Sequence, residues 1–318
     1  MRKVLFATTA LVALGGVSAA SADISVSAAN EFQYKSWSDS TTSTTNDSSM
    51  TVKHTYKISA SAVLDNGMSL SSYLSTDGTD NFADDGFSIA GDFGTIGFGG
   101  SESGDAFATA ADVTPDEAWS YTTATWTAAA NAFVMPADES VEASTISYLS
   151  PDISGFQFSM GVTDTAGYND TSSMGAQYKM TSGDTTVTIK YASSEKGVTA
   201  SGDVPVEAQS LGLVFAYGDT TVTLAQNKKE NGTNYDYTGD SVGVTYKMSD
   251  DLTISAYTGT TEDGQDSTHE ISDTGLGLAY TITPGLTLSV THNDWDMKDA
   301  SATNENGEHT TVAIDLSF

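Results

Sequence analysis

The sequence predicts an all-β chain, a 16-stranded antiparallel transmembrane β-barrel. Three observations carry that expectation: apolar residues alternate with polar ones, seven tight turns recur, and an apolar strand runs to the last residue. Residues 310–318 set Val312, Ile314, Leu316 and Phe318 against Thr311, Ala313, Asp315 and Ser317, the period-2 pattern of a half-buried strand. Left at a free end such a strand is an aggregation edge, whereas pairing with the first strand of a closed barrel removes the edge. A strand of this kind at the chain end points to the outer membrane.

The start of the chain agrees. Arg2 and Lys3 precede an apolar run over residues 4–17, and Ala20, Ser21 and Ala22 offer the small residues at which a signal peptidase cuts. Residues 1–22 are therefore expected to be a cleaved signal peptide, and residues 23–318 the barrel domain. The run is shorter than the roughly 20 residues that span a bilayer, which argues against an anchor. Removing Arg2 and Lys3 takes the formal charge from −30 to −32 and leaves no arginine. Such a chain repels nucleic acid. An acidic chain with 38% hydrophobic residues would suit disorder, but here those residues alternate, as in a barrel apolar on one face. The absence of cysteine excludes a disulfide scaffold and thiolate metal sites.

Taken in order, a first strand is expected at residues 24–36, followed by seven hairpins and a last strand at 310–318. The hairpin turns fall at Asp65-Asn66-Gly67, Asp92-Phe93-Gly94, Pro151 to Gly155, Ser182-Gly183-Asp184, Gly218-Asp219, Ser249-Asp250-Asp251 and Pro284-Gly285. Their Gly, Asn, Asp and Pro residues favour tight reversal. Seven hairpins with one strand at each end make 16, and an even number lets the two ends meet antiparallel. The fourth and fifth strands, at 87–91 and 95–101, are glycine-rich and shorter than the about 9–11 residues that usually cross the hydrocarbon. That wall is better shielded by neighbouring barrels than by lipid, so a homotrimer is expected.

Parity sorts each strand. Val52, His54, Tyr56, Ile58, Ala60 and Ala62 share one face, and Lys53, Thr55, Lys57, Ser59 and Ser61 the other. Leu211, Leu213, Phe215 and Tyr217 separate likewise from Gly212, Val214 and Ala216, and Val242, Val244, Tyr246 and Met248 from Gly243, Thr245 and Lys247. Tyr56, Tyr148, Tyr178, Tyr191, Tyr217, Tyr246 and Tyr280 suit interfacial girdles, although strand tyrosines packing on one another would explain any one of them. The links opposite the turns read as roughly 10 to 17 residues, which orients the turns to the periplasm. One link is far longer, at 102–143, and a loop of that length is usually functional.

With these features in place, the chain resembles a Gram-negative general diffusion porin, most closely the trimeric alphaproteobacterial, Rhodobacter-like type. The run from Gly91 through Asp92, Phe93, Gly94, Thr95, Ile96, Gly97 and Phe98 to Gly99 is similar to the hairpin leading into that family's third loop. Tyr148, Leu149, Ser150 and Pro151 with Gly155 and Phe156 are similar to the hairpin after it, and Phe318 to its terminal aromatic. The resemblance implies passive diffusion of small hydrophilic solutes and ions, a location among outer-membrane lipid and lipopolysaccharide, and insertion by the barrel-assembly machinery with Phe318 as assembly signal. It also implies that 102–143 folds into the lumen as the pore constriction. There is a departure: the family's Gly-Arg before the loop is here Gly99-Gly100-Ser101, and arginines on the facing wall are missing.

The expected constriction is acidic and cation-preferring, with Asp105, Asp112, Asp116, Glu117, Asp138, Glu139 and Glu142, and Glu102 at its start. Two readings stay open for these carboxylates: a solvated loop surface, or a crowded constriction bridged by structural Ca2+ through oxygen ligands, for which no EF-hand spacing speaks. No other cofactor is expected. Parity turns Lys35, Lys53 and Lys57 inward, either as a sparse basic pore wall or as solvated vestibule lysines. An enzyme would need a nucleophile and base, yet His54, His269, His292 and His309 are scattered and no hydrolase or metalloprotease motif occurs. A substrate-specific channel is the alternative. An aromatic slide would mark it, and parity turns Trp37 and Tyr73 inward without giving a continuous ladder.

Overall fold

The computed structural model describes residues 23–39, 47–77, 84–99, 146–163, 171–196, 206–231, 235–264, 269–298 and 305–318. They form 16 strands: β1 (Asp23–Asp39), β2 (Asp47–Val63), β3 (Ser69–Asp77), β4 (Asp84–Gly91), β5 (Gly94–Gly99), β6 (Ile146–Leu149), β7 (Phe156–Thr163) and β8 (Thr171–Ser182), then β9 (Thr185–Lys196), β10 (Val206–Tyr217), β11 (Thr220–Asn231), β12 (Tyr235–Lys247), β13 (Leu252–Asp263), β14 (Glu270–Thr283), β15 (Leu286–Lys298) and β16 (Glu305–Ser317). Each pairs antiparallel with its sequence neighbours, and β1 pairs with β16 to close a barrel. All seven expected turns lie between the expected strands. Gly94 shows why its turn needs glycine. Its φ of 104° is left-handed, and a Cβ there would run into the Leu149 carbonyl.

The closing seam extends to the last residue. The Ala28 amide donates to the Phe318 carbonyl at 2.8 Å, and the Phe318 amide donates to the Ala28 carbonyl at 3.0 Å. In the turn after β12, Lys247 donates to Asp250 at 2.9 Å, and that hydrogen bond holds the Asp250 carboxyl below the ordinary carboxylate range.

Three expectations about length need correcting. The first and last strands are longer than the alternation indicated, and the links opposite the turns are shorter: β11 ends at Asn231 and β12 resumes at Tyr235. Strands continue beyond the apolar band because backbone pairing persists where both faces meet water. The fifth strand is described from Gly94 to Gly99, its expected end at Ser101 lying outside the described residues, and the short wall reaches further than β4 and β5. β4 to β7 have 8, 6, 4 and 8 residues, against 12 to 14 in β8 to β16.

The outer face is apolar. Exposed large side chains include Val52, Tyr56, Ile58, Leu211, Phe215, Tyr217, Val244, Tyr246, Leu278, Tyr280 and Ile314, all on the outward parity. Every tyrosine named for the girdles shares that parity. Tyr178, Tyr217, Tyr246 and Tyr280 lie near the short turns, where a ring with a hydroxyl suits the headgroup level. On the low wall Phe87 stacks on Phe98 at 4.6 Å between centroids.

Candidate functional site

The inward face of the wall is the candidate site. Lys35, Lys53 and Lys57 share the inward parity of β1 and β2, and the register places Lys35 opposite Ser49, Lys53 opposite Glu31, and Lys57 opposite Ser27. Ser49, Lys53 and Lys57 are four residues apart, roughly 13 Å per step at strand rise. The three lysines therefore form a spaced ladder rather than a cluster. Lys57 Nζ lies 4.4 Å from the centre of the Tyr73 ring, a cation–π contact between two inward residues. Glu31 also faces Asp315 across the seam, so this wall mixes both signs.

Further inward lysines come from β9 and β11. Lys190 of β9 faces Gln177 of β8, which donates to Gln157 of β7 at 2.9 Å. Lys229 of β11 faces Tyr237 and Ala208. Period-2 counting from Ile189 and Leu224, both exposed and outward, would have found these positions.

Across β10 to β16 the inward face is built from polar groups and rings laid flat. Tyr257 donates to Asp273 at 2.5 Å, and Asn293 donates to the other Asp273 oxygen at 3.1 Å. The Tyr257 ring lies over Gly275, its register partner, where an added Cβ would sit inside the ring's contact distance. Trp295 lies in the same way over Gly307. Ser210 donates to Asn227 at 2.5 Å. Tyr237, Trp295, Ile271 and Met297 are only 2–3% exposed, so these inward apolar groups do not line an open water path.

Asp105, Asp112, Asp116, Glu117, Asp138, Glu139 and Glu142, with Glu102, lie outside the described residues. Trp37 and Tyr73 face inward as expected. His54 faces outward and shares a 2.6 Å hydrogen bond with Asn30. Carboxylates also face outward beyond the apolar band, including Glu195 directly opposite Glu207.

The wall is thus polar inside and apolar outside, closed on itself, and 16 strands around. The family model for Gram-negative porins matches residues 7–300. The chain belongs to the Gram-negative porin family. Solved structures similar to this porin include the anion-selective porin from Comamonas acidovorans, at 14% identity and TM-score 0.64, covering 93% of this chain and 100% of that one. Another is OmpT of Vibrio cholerae with loop L8 deleted, at 13% identity and TM-score 0.69, covering 93% and 99%. A mutant of Rh. blastica porin matches at 17% identity and TM-score 0.59, covering 93% and 100%. At these identities the likeness is one of fold. Direct comparison with curated proteins finds no match. This porin is a β-barrel channel of the outer membrane.

Proposed function

We propose that this porin is a trimeric general diffusion channel of the alphaproteobacterial type, passing small hydrophilic solutes and ions with a preference for cations. The observation that carries diffusion over a substrate-specific slide is the burial of the inward rings. Tyr237, Tyr257 and Trp295 are 3–5% exposed and two of them lie over glycines, so a passing solute meets polar groups and lysines instead of an aromatic ladder. Such a channel takes its selectivity from a constriction. Residues 102–143 are the long segment available to supply it, folded into the lumen with their carboxylates facing the lysine ladder. Lysine gives a point charge without arginine's planar fork, so the basic side of such a constriction is the weaker one and the acids set selectivity. Ca2+ bridging of those carboxylates belongs to the same proposal.

Residues 1–22 are removed in this reading, and the intact mass of the outer-membrane protein should start at Asp23. Insertion uses the assembly machinery, with Phe318 as its signal, and the outer wall meets lipid and lipopolysaccharide. The functional test is conductance in planar bilayers, with reversal potentials under a KCl gradient and exclusion of neutral sugars of graded size. An ohmic pore that favours K+ and is not blocked by any one sugar fits the proposal. Saturable block by a single sugar would move the protein to the substrate-specific class.

A further inference from the structure

We propose that His292, Asp294 and Glu308 form a divalent transition-metal site on the outer wall of the barrel. The site is independent of how the pore conducts. On β15 and β16 the outward residues climb from the short-turn side in facing pairs: Leu286 with Leu316, Leu288 with Ile314, Val290 with Val312, then His292 with Thr310 and Asp294 with Glu308. The last two pairs stand at the upper border of the apolar band, where the wall passes from hydrocarbon to headgroups.

One ligand atom from each of the three residues lies within 4.8 Å of the other two. His292 Nδ1 shares a 2.8 Å hydrogen bond with Thr310 Oγ1, while Nε2 lies 3.8 Å from Asp294 Oδ2. The ring is therefore held through one nitrogen and presents the other to the carboxylates, as a ligating imidazole is usually oriented by an outer partner. Asp294 and Glu308 are direct cross-strand partners, and like charges so placed repel. Lys298, the outward lysine of this wall, is engaged by Glu270 at 2.6 Å. A cation between the three donors turns the repulsion into coordination.

One imidazole nitrogen with two carboxylate oxygens is the donor set of Zn2+ and its neighbours, whereas Ca2+ and Mg2+ take oxygen ligands. Small rotations of exposed side chains close the present separations to bonds of about 2.0–2.2 Å. Three protein ligands leave a fourth position for water or for a phosphate oxygen of the headgroup layer. Such an ion would clip β15 to β16, next to the closing seam. The competing account is a plain imidazolium–carboxylate ion pair, which needs no metal.

The test is calorimetric titration of ZnCl2 into the full barrel, refolded in a phosphate-free detergent solution at neutral pH. A single tight site per chain is expected above the weak background of surface carboxylates. His292→Gln and Glu308→Gln should abolish it, and Thr310→Val should weaken it about 10–100-fold through loss of the ring's outer partner. Glu207→Gln, which breaks another facing acidic pair that has no histidine, should leave it unchanged. The altered side chains are outward, and the gel shift of unheated samples confirms that each variant has folded. A titration of folded His292→Gln indistinguishable from the unaltered protein overturns the proposal, as does displacement of Zn2+ by an equal concentration of Ca2+.

Discussion

Trp37 of β1 stacks on His309 of β16, with ring centroids 6.4 Å apart and planes 22° from parallel. The register makes these two residues direct partners across the seam where the first strand meets the last. His309 is 1% exposed, so the contact is shielded from water. A ring pair of this kind adds about 0.5–1.5 kcal/mol beyond the area it buries. Trp37→Ala should lower the temperature at which the folded gel band converts to the unfolded one, and Trp37→Phe should recover part of the loss. Identical transitions in all three proteins would show that the stack contributes nothing to closure.

Gly275→Ala should destabilise the barrel by about 1–3 kcal/mol, because the new methyl displaces the Tyr257 ring and strips Asp273 of its phenol donor. If that route is correct, Tyr257→Phe should cost much less in the Gly275→Ala background than alone. Additive losses in denaturant titrations would break the link between the two positions.

The low wall of β4 to β7 should be the contact surface between protomers. Ile96→Asp with Phe98→Asp places charge on its outer face and should convert trimers to monomers in unheated, mild-detergent extracts. A wild-type protein that migrates only as monomer under those conditions would contradict the trimer outright.

Replacing Asp112, Asp116 and Glu117 together by Asn or Gln should reduce cation preference, whereas Lys53→Gln with Lys57→Gln should increase it. The preference should weaken in acid, as carboxylates protonate, and in concentrated salt, where screening shortens from about 10 Å at 0.1 M to about 3 Å at 1 M. Reversal potentials decide. Unchanged values in both variants would mean that residues 102–143 are not the constriction.

Deleting Phe318 should impair assembly in cells. Its amide and carbonyl both pair with Ala28, so the deletion also removes the last two hydrogen bonds of the seam. Refolding of the truncated chain in detergent separates the two effects: normal refolding with failed assembly in cells points to a recognition signal, and normal assembly in cells rules it out.

The turns and the parity of the strands were legible in the sequence because both are local. A turn such as Asp65-Asn66-Gly67 declares itself by residue type, and Lys53 beside Val52 declares its face by alternation. Strand ends were not legible. Past the apolar band, segments such as Glu305 to Glu308 carry polar residues or glycine on both faces, the alternation fades, and backbone pairing continues without a side-chain signature. The Tyr257, Asp273 and Asn293 network was hidden for another reason. Its members come from three strands, and which inward residues become neighbours depends on the stagger around the whole barrel, not on any one hairpin.

Among the described residues, every ladder joins strands adjacent in sequence except the one between β1 and β16. In polymer terms, the chain can zip hairpin by hairpin with short closures and meets a single long-range closure at the end. Closure entropy grows only logarithmically, by about 0.6 kcal/mol for each doubling of the loop, so that step is affordable in equilibrium. Kinetically it has the highest contact order in the molecule and should be the slowest. A circular permutant opened at Gly218-Asp219, with Phe318 joined to Asp23 by a short linker, would turn the seam into one more hairpin. It would move the slow step to the opposite side of the barrel, between β10 and β11.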